Sequence, residues 1–180
     1  MLRKAASTAL LGIALAASIA PSAEAAASPV GCVGNPDRAH RVTLQVDGEP
    51  ATGRYVAPKR RPRVAVVMGH GYSFDSEGWV PHMQLAARES GALAITMDYR
   101  GLVSLGDDPE DTWPYNRSRG YPVKAGSEDL VAAGQAILAS CPSVRSLILL
   151  GVSMGGNASG MAAALGAERP GGDPLFDYWI

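Results

Sequence analysis

Three uninterrupted apolar runs mark the chain: Val64–Met68, Ala92–Met97 and Leu147–Leu150. Each has the length of a strand and none alternates with polar residues, which is the pattern of strands buried on both faces. Ahead of them, residues 41–46 alternate polar and apolar and predict a half-exposed strand. Asp47-Gly48 is a turn signal, and Thr52–Val56 reads as the returning strand of a hairpin. Between the runs the period lengthens. Residues 78–90 set Trp79, Met83 and Ala86 or Ala87 at helical spacing, with Gly91 as terminator. A second helix carries Leu130, Val131, Gly134, Ile137 and Leu138 on its inner face. Ser127 is its candidate N-cap, Glu128 and Asp129 fall in its first turn, and Pro142 ends it. A third runs through the small residues Asn157–Leu165 and stops at Arg169-Pro170-Gly171-Gly172. A hairpin followed by alternating strands and helices predicts the α/β class: a mostly parallel sheet with helices on both faces.

The composition agrees with one folded unit. The chain has 180 residues, 47% hydrophobic and 18% charged, enough for a single domain with a core. A net charge of −1 gives no sign of a nucleic-acid partner. The first residues are of a different kind. Arg3 and Lys4 precede an apolar run from Ala5 to Ala20, Pro21 breaks it, and Ala23-Glu24-Ala25 offers a cleavage site, with Ala25-Ala26-Ala27 as an alternative. That order is expected of a Sec-type signal peptide of bacterial type over residues 1–25, and hence of a secreted or periplasmic protein with no stable membrane anchor after cleavage. The competing reading is a membrane anchor, against which stands the shortness of the run. Residues 26–40 are rich in Ala, Ser, Pro and Gly and are expected to be a flexible segment. Residues 41–180 form the domain. Two cysteines, Cys32 and Cys141, leave two readings open: a disulfide from the segment entering the domain to the segment before the third apolar run, or two free thiols. Neither has a histidine or second cysteine nearby, so no metal site and no cofactor is expected.

The chemistry gathers where the third apolar run ends, in Gly151-Val152-Ser153-Met154-Gly155-Gly156. Strand, G-x-S-x-G, small-residue helix is the context of a nucleophile elbow. A serine hydroxyl is a weak nucleophile and must be held exposed beside a base. A sharp strand-to-helix turn projects it, and small flanking residues are then needed because strand end and helix start nearly touch. The Met154 amide, at the helix N-terminus, points where an oxyanion would develop.

Together with His70-Gly71-Tyr72 after the first apolar run and Asp98-Tyr99-Arg100-Gly101 after the second, this elbow resembles the α/β-hydrolase family over roughly residues 41–168, the N-terminal half of that fold. The resemblance implies a three-layer sandwich, Ser153 as nucleophile, and the backbone amides of Tyr72 and Met154 as oxyanion hole. It gives His70, Gly71, Gly151 and Gly155 supporting roles, and a small acyl compound as substrate. The departure from the family is the base. There the acid and then the histidine follow the serine, whereas His40, His70 and His82 all precede Ser153 here. Asp173 and Asp177 follow it too closely to be assigned as the acid. The expectation is a hydrolase fragment whose later strands are missing, with Leu147–Leu150 left as an unpaired edge. Two functions compete: a secreted serine hydrolase of esters or related acyl bonds, and a non-catalytic binding module that keeps the fold. Trp113, Tyr115 and Tyr121 either line an acyl pocket or anchor a long loop.

Overall fold

A computed structural model of the protein describes residues 30–71, 74–100 and 123–180. Tyr72 and the aromatics Trp113, Tyr115 and Tyr121 lie outside the described residues, as does the expected signal segment.

Alternation builds the hairpin. Strand β1 (Ala39–Val46) buries Val42, Leu44 and Val46 on one face and turns through Asp47-Gly48 into β2 (Glu49–Val56), antiparallel to it. The apolar runs form β3 (Val64–Gly69), β4 (Leu93–Met97) and β5 (Ser146–Gly151). Every residue of β4 is buried, as expected of a strand flanked on both edges and covered on both faces. The sheet runs β1-β2-β4-β3-β5-β6, where β6 is Tyr178–Trp179. β2 meets β4 antiparallel, and the pairs β3–β4, β3–β5 and β5–β6 are parallel.

Helices cover both faces. On one lies α1 (Val80–Leu85), continued by a π-helical turn at Ala86–Ser90, and Gly91 ends it in the left-handed conformation. Trp79, Met83 and Ala87 pack there on Val56, Met68 and Ala94. On the other lie α2 (Val123–Ser140) and α3 (Met154–Ala164), which bury Leu130, Ala133, Ile137, Ala158 and Ala162 against Val67, Ile95, Leu147 and Leu149. The three-layer architecture is therefore the one expected. No helix among the described residues is long and apolar enough to cross a membrane.

Four local expectations are corrected. Ser127 does not cap α2, which begins at Val123; its hydroxyl donates back to the Lys124 carbonyl at 2.6 Å from inside the helix. That bond competes with the same backbone groups a cap would serve. Glu128 and Asp129, expected in the first turn, lie beyond it in a helix that begins at Val123, and Asp129 is fully buried. Helix α3 stops at Ala164, with Gly166 left-handed behind it, before the Arg169–Gly172 stretch. The fourth correction is to the sheet edge. The chain after α3 folds back, Leu175 and Phe176 enter the core, and β6 pairs with β5 through bonds from Asp177 N–H to the Leu147 carbonyl and Ile180 N–H to that of Leu149, both 2.9 Å. Leu147–Leu150 is thus an interior strand, and the edge moves out to β6, where Tyr178 and Trp179 are 62% and 58% exposed.

The segment entering the domain is held more firmly than its composition suggests. Val30 is buried, the Gly34 N–H donates to the Pro58 carbonyl at 2.9 Å, and a disulfide joins Cys32 to Cys141 with Cα atoms 5.4 Å apart. The bridge closes a sequence separation of 109 residues. A loop that long gives a large entropic restriction of the unfolded chain, so reduction, or Cys32→Ala, should lower stability by about 2–5 kcal/mol. Denaturant unfolding with and without reductant measures it, and an unchanged midpoint would show that the bridge is not formed.

A second constraint is electrostatic. The Arg100 guanidinium donates from Nε to Asp129 at 2.6 Å, from Nη2 to Glu128 at 3.1 Å and from Nη1 to the Val46 carbonyl at 2.9 Å, and the Arg100 N–H bonds Asp129 at 3.0 Å. One side chain thereby ties the end of β4 to α2 and to the hairpin turn. Burial pushes the Asp129 carboxyl up from its ordinary value, and the bonds from Arg100 pull it back. Arg100→Ala leaves the buried carboxylate without its countercharge, held by a backbone donor, and should cost about 3–5 kcal/mol near neutral pH. A group whose folded pKa is raised costs stability as pH rises through that value, so the deficit should shrink on acidification. Unfolding of wild type and variant at pH 5 and pH 8 tests the direction.

Candidate active site

The elbow is assembled by backbone approach. β3 and β5 run parallel in register, with Gly69 opposite Gly151 at their C-terminal ends, and the chain then turns through Val152 and Ser153 into α3. The Val152 N–H donates to the Gly69 carbonyl at 3.2 Å, and the Gly155 N–H to the Val152 carbonyl at 2.9 Å. A Cβ on Gly155 would lie 2.1 Å from the Gly69 carbonyl oxygen, and one on Gly151 would lie 2.3 Å from that of Gly155. No side chain fits in either place, so these glycines are required by sterics rather than by turn geometry. Gly156 is different: a Cβ there would meet nothing closer than 3.6 Å.

This packing leaves Ser153 at φ 56°, ψ −121°, a region that a residue with a Cβ enters only under constraint. The side chain stands exposed at the N-terminus of α3. Gly156 and Asn157 donate to the Ser153 carbonyl at 2.9 and 3.2 Å, which starts the helix. Met154, its first residue, has an N–H with no intrahelical partner, at the positive end of the helix dipole. Gly71 reaches the same spot: a Cβ built on it would be 3.6 Å from the Ser153 Cβ. The loop after β3 and the elbow after β5 are therefore neighbours, as an oxyanion hole needs.

His70 is fully buried and does not face the hydroxyl. Its Nδ1 lies 2.9 Å from the Gly71 carbonyl oxygen, which can only accept, so Nδ1 carries the proton. The ring stacks on Tyr99 with centroids 4.3 Å apart and planes at 15°. Burial raises the Tyr99 phenol well above its ordinary pKa, so it stays neutral. The role is to fix the backbone of the loop. His40 stacks on Tyr55 in the hairpin, and His82 tilts on Trp79 at the surface of α1. Among the described residues no imidazole or carboxylate hydrogen-bonds the Ser153 hydroxyl. Asp177 sits at the other end of β5, where it accepts from the Leu147 N–H at 2.7 Å and pairs with Arg169; Asp173 is exposed and its carbonyl accepts from the Arg169 N–H at 2.8 Å.

Sequence reasoning named Asp98 within the D-Y-R-G motif but not its partners. Its Oδ1 accepts from the Ser76 N–H at 2.7 Å and its Oδ2 from the Thr52 hydroxyl at 3.4 Å, so it pins the segment after Gly71 to the end of β4. The D-Y-R-G signal was visible, but its partners lie 22 and 46 residues away.

No protein-family model matches the chain, and no curated protein sequence does. Solved structures do match. An esterase from the hyperthermophilic archaeon Pyrobaculum calidifontis shares 26% identity at a TM-score of 0.53, over 79% of this chain and 43% of its own. A cold-adapted esterase from an Arctic intertidal metagenomic library shares 23% identity at 0.55, over 70% of this chain and 56% of its own. A dienelactone hydrolase from Anabaena variabilis shares 20% at 0.51, over 71% and 57%. The last two are likenesses of fold alone. The chain has the fold of the α/β-hydrolase superfamily, as its motifs implied. It spans less than half the length of the Pyrobaculum esterase.

The steric argument predicts a contrast. Gly155→Ala should displace Gly69 or break the elbow, costing about 3 kcal/mol or more, whereas Gly156→Ala should cost under about 1 kcal/mol. Thermal unfolding of the two variants decides it, and equal tolerance would mean that the close approach is wrong.

Proposed function

We propose that this chain carries the nucleophile and oxyanion loop of a secreted serine hydrolase acting on esters or related acyl bonds. The observation that carries the reading is the conformation of Ser153: exposed, at positive φ, between a strand end and a helix N-terminus, with Gly71 alongside. Strain of this kind persists only where surrounding structure imposes it, and it clusters at functional sites. The esterase likeness at 26% identity supports the same chemistry.

In this reading the Ser153 Oγ attacks the acyl carbon as its proton passes to a base. The carbonyl π pair moves to oxygen, where the N–H groups of Met154 and Tyr72 receive the charge. Collapse expels the alcohol, which takes the proton from the base, and leaves an acyl-enzyme that water hydrolyses by the same steps. The base and its acid are supplied by chain beyond Ile180, and residues 1–25 direct export and are removed. The non-catalytic module is the rival, favoured by the partners of the three histidines, which are the Gly71 carbonyl, Tyr55 and Trp79 and not the Ser153 hydroxyl.

Expressed from its whole gene, the protein should hydrolyse a short-chain ester, and Ser153→Ala should lower turnover by roughly 10³ or more at unchanged stability. A fluorophosphonate probe should label wild type and not the variant. Labelling of both alike would remove Ser153 from the mechanism, and labelling of neither would favour the module.

A further inference from the structure

Arg54, Arg100 and Lys124 are paired with carboxylates where β3 and β5 finish, and Asp177 is paired with Arg169 where they begin, beside Glu168; around these pairs the charges are distributed unevenly. Asp47, Glu49, Asp75, Glu77 and Glu128 lie where β3 and β5 finish, on the hairpin turn, the segment after Gly71 and the start of α2. The other end, where β3 and β5 begin, carries Lys59, Arg60, Arg61, Arg63 and Arg145. All five are exposed, and among the described residues none pairs with a carboxylate. The Arg63 carbonyl accepts from the N–H groups of Arg145 and Ser146, at 2.7 and 3.1 Å, which brings the two basic segments together. Pro58 and Pro62, both buried, bracket the Lys59–Arg61 tip and restrict its backbone. Like charges held this closely without partners repel, so folding alone does not explain them.

Two observations at the same end indicate what they meet. Val33 is 51% exposed beside Cys32 and Gly34, and Gly34 bonds Pro58 at the base of the tip. An apolar side chain next to a basic cluster suits a lipid surface, which offers acyl chains beneath its headgroups, better than a soluble polyanion. The chain also enters the domain here, through the Cys32–Cys141 bridge. Residues 21–29 separate Val30 from the apolar run Ala5–Ala20, and that stretch can span at most about 30 Å. On the signal-peptide reading, an apolar run held by a membrane during export would bring the basic end within reach of the headgroups.

We propose that this end seats on an anionic lipid surface. The Ser153 end then faces the aqueous side, a strand length of about 17 Å away. Resting on the reading of Ser153 as nucleophile, the orientation also assigns the substrate class: acyl compounds that arrive dissolved, not lipids of the surface to which the protein is bound. Surface binding itself does not depend on that reading.

The test is co-sedimentation of the exported protein with vesicles of phosphatidylcholine alone and with roughly a third phosphatidylglycerol, at low and high salt. Wild type should bind only the anionic vesicles and be released by salt. Each cation near the surface contributes about fivefold, so Arg60→Gln/Arg61→Gln/Arg63→Gln should weaken binding more than tenfold. Arg60→Lys/Arg61→Lys/Arg63→Lys should keep it within a few-fold and guards against a folding defect in the first variant. Ser153→Ala should bind like wild type, which separates this proposal from the catalytic one. Equal binding to both vesicle types, or full binding by the glutamine variant, would overturn it. So would capture on immobilised polyphosphate without capture on anionic vesicles, which would make the patch a polyanion site.

Discussion

The structure depends on one crowded junction, where the ends of β3 and β5 and the start of α3 meet backbone to backbone. Gly69, Gly151 and Gly155 leave no volume for a β-carbon among them. That contact sets the angle at which α3 leaves the sheet, and the angle forces Ser153 into its positive φ. The cost of the strained residue, on the order of 1–3 kcal/mol, is met by the packing of α3 through Met154, Ala158 and Ala162 on the sheet. Small residues on the inner face of α3 are a consequence: a helix that starts in backbone contact with the sheet cannot carry large side chains inward in its first turns.

Around that junction the supports are arranged by distance from the serine. His70, locked by its bond to the Gly71 carbonyl and its stack on Tyr99, fixes the loop after β3. Asp98 fixes the return of that loop. Arg100 then ties the end of β4 to α2 through Asp129. The order His70, Asp98, Tyr99, Arg100 means that the two sequence motifs are one structural device. Each of these strand ends hands a polar or aromatic group to its neighbour, so the loop ends beside Ser153 are braced by groups that do not bond its hydroxyl.

How much of this the sequence showed follows from the reach of each signal. The hairpin, β3, β4, β5 and the elbow were legible because alternation, apolar runs and G-x-S-x-G are local patterns. Ser127 misled because a hydroxyl that bonds a carbonyl three residues back inside a helix has the same residue type and acidic followers as a cap. The Arg100–Asp129 pair was hidden because its two halves are 29 residues apart, and a buried carboxylate looks like a solvated one until its cover is known. β6 was missed for a third reason. Two residues carry no period, and what brings them to β5 is the burial of Leu175 and the bonds of Arg169 to the Leu175 carbonyl and to Asp177.

The same geometry separates the elbow from the loops around it. Ser153 is held by strands and a helix start whose register is fixed by hydrogen bonds on both sides, so its position is a property of the sheet. Loops that leave such strand ends lie outside that register. Such connections can change length and composition without disturbing Gly69, Gly151 or Gly155. A sheet of this kind can therefore be shared by proteins with different loops, as the likeness to an esterase and, in fold alone, to a dienelactone hydrolase illustrates. The elbow's demands on the sheet are steric, so they place no constraint on the opposite end, where Lys59, Arg60, Arg61, Arg63 and Arg145 stand exposed and, among the described residues, pair with no carboxylate.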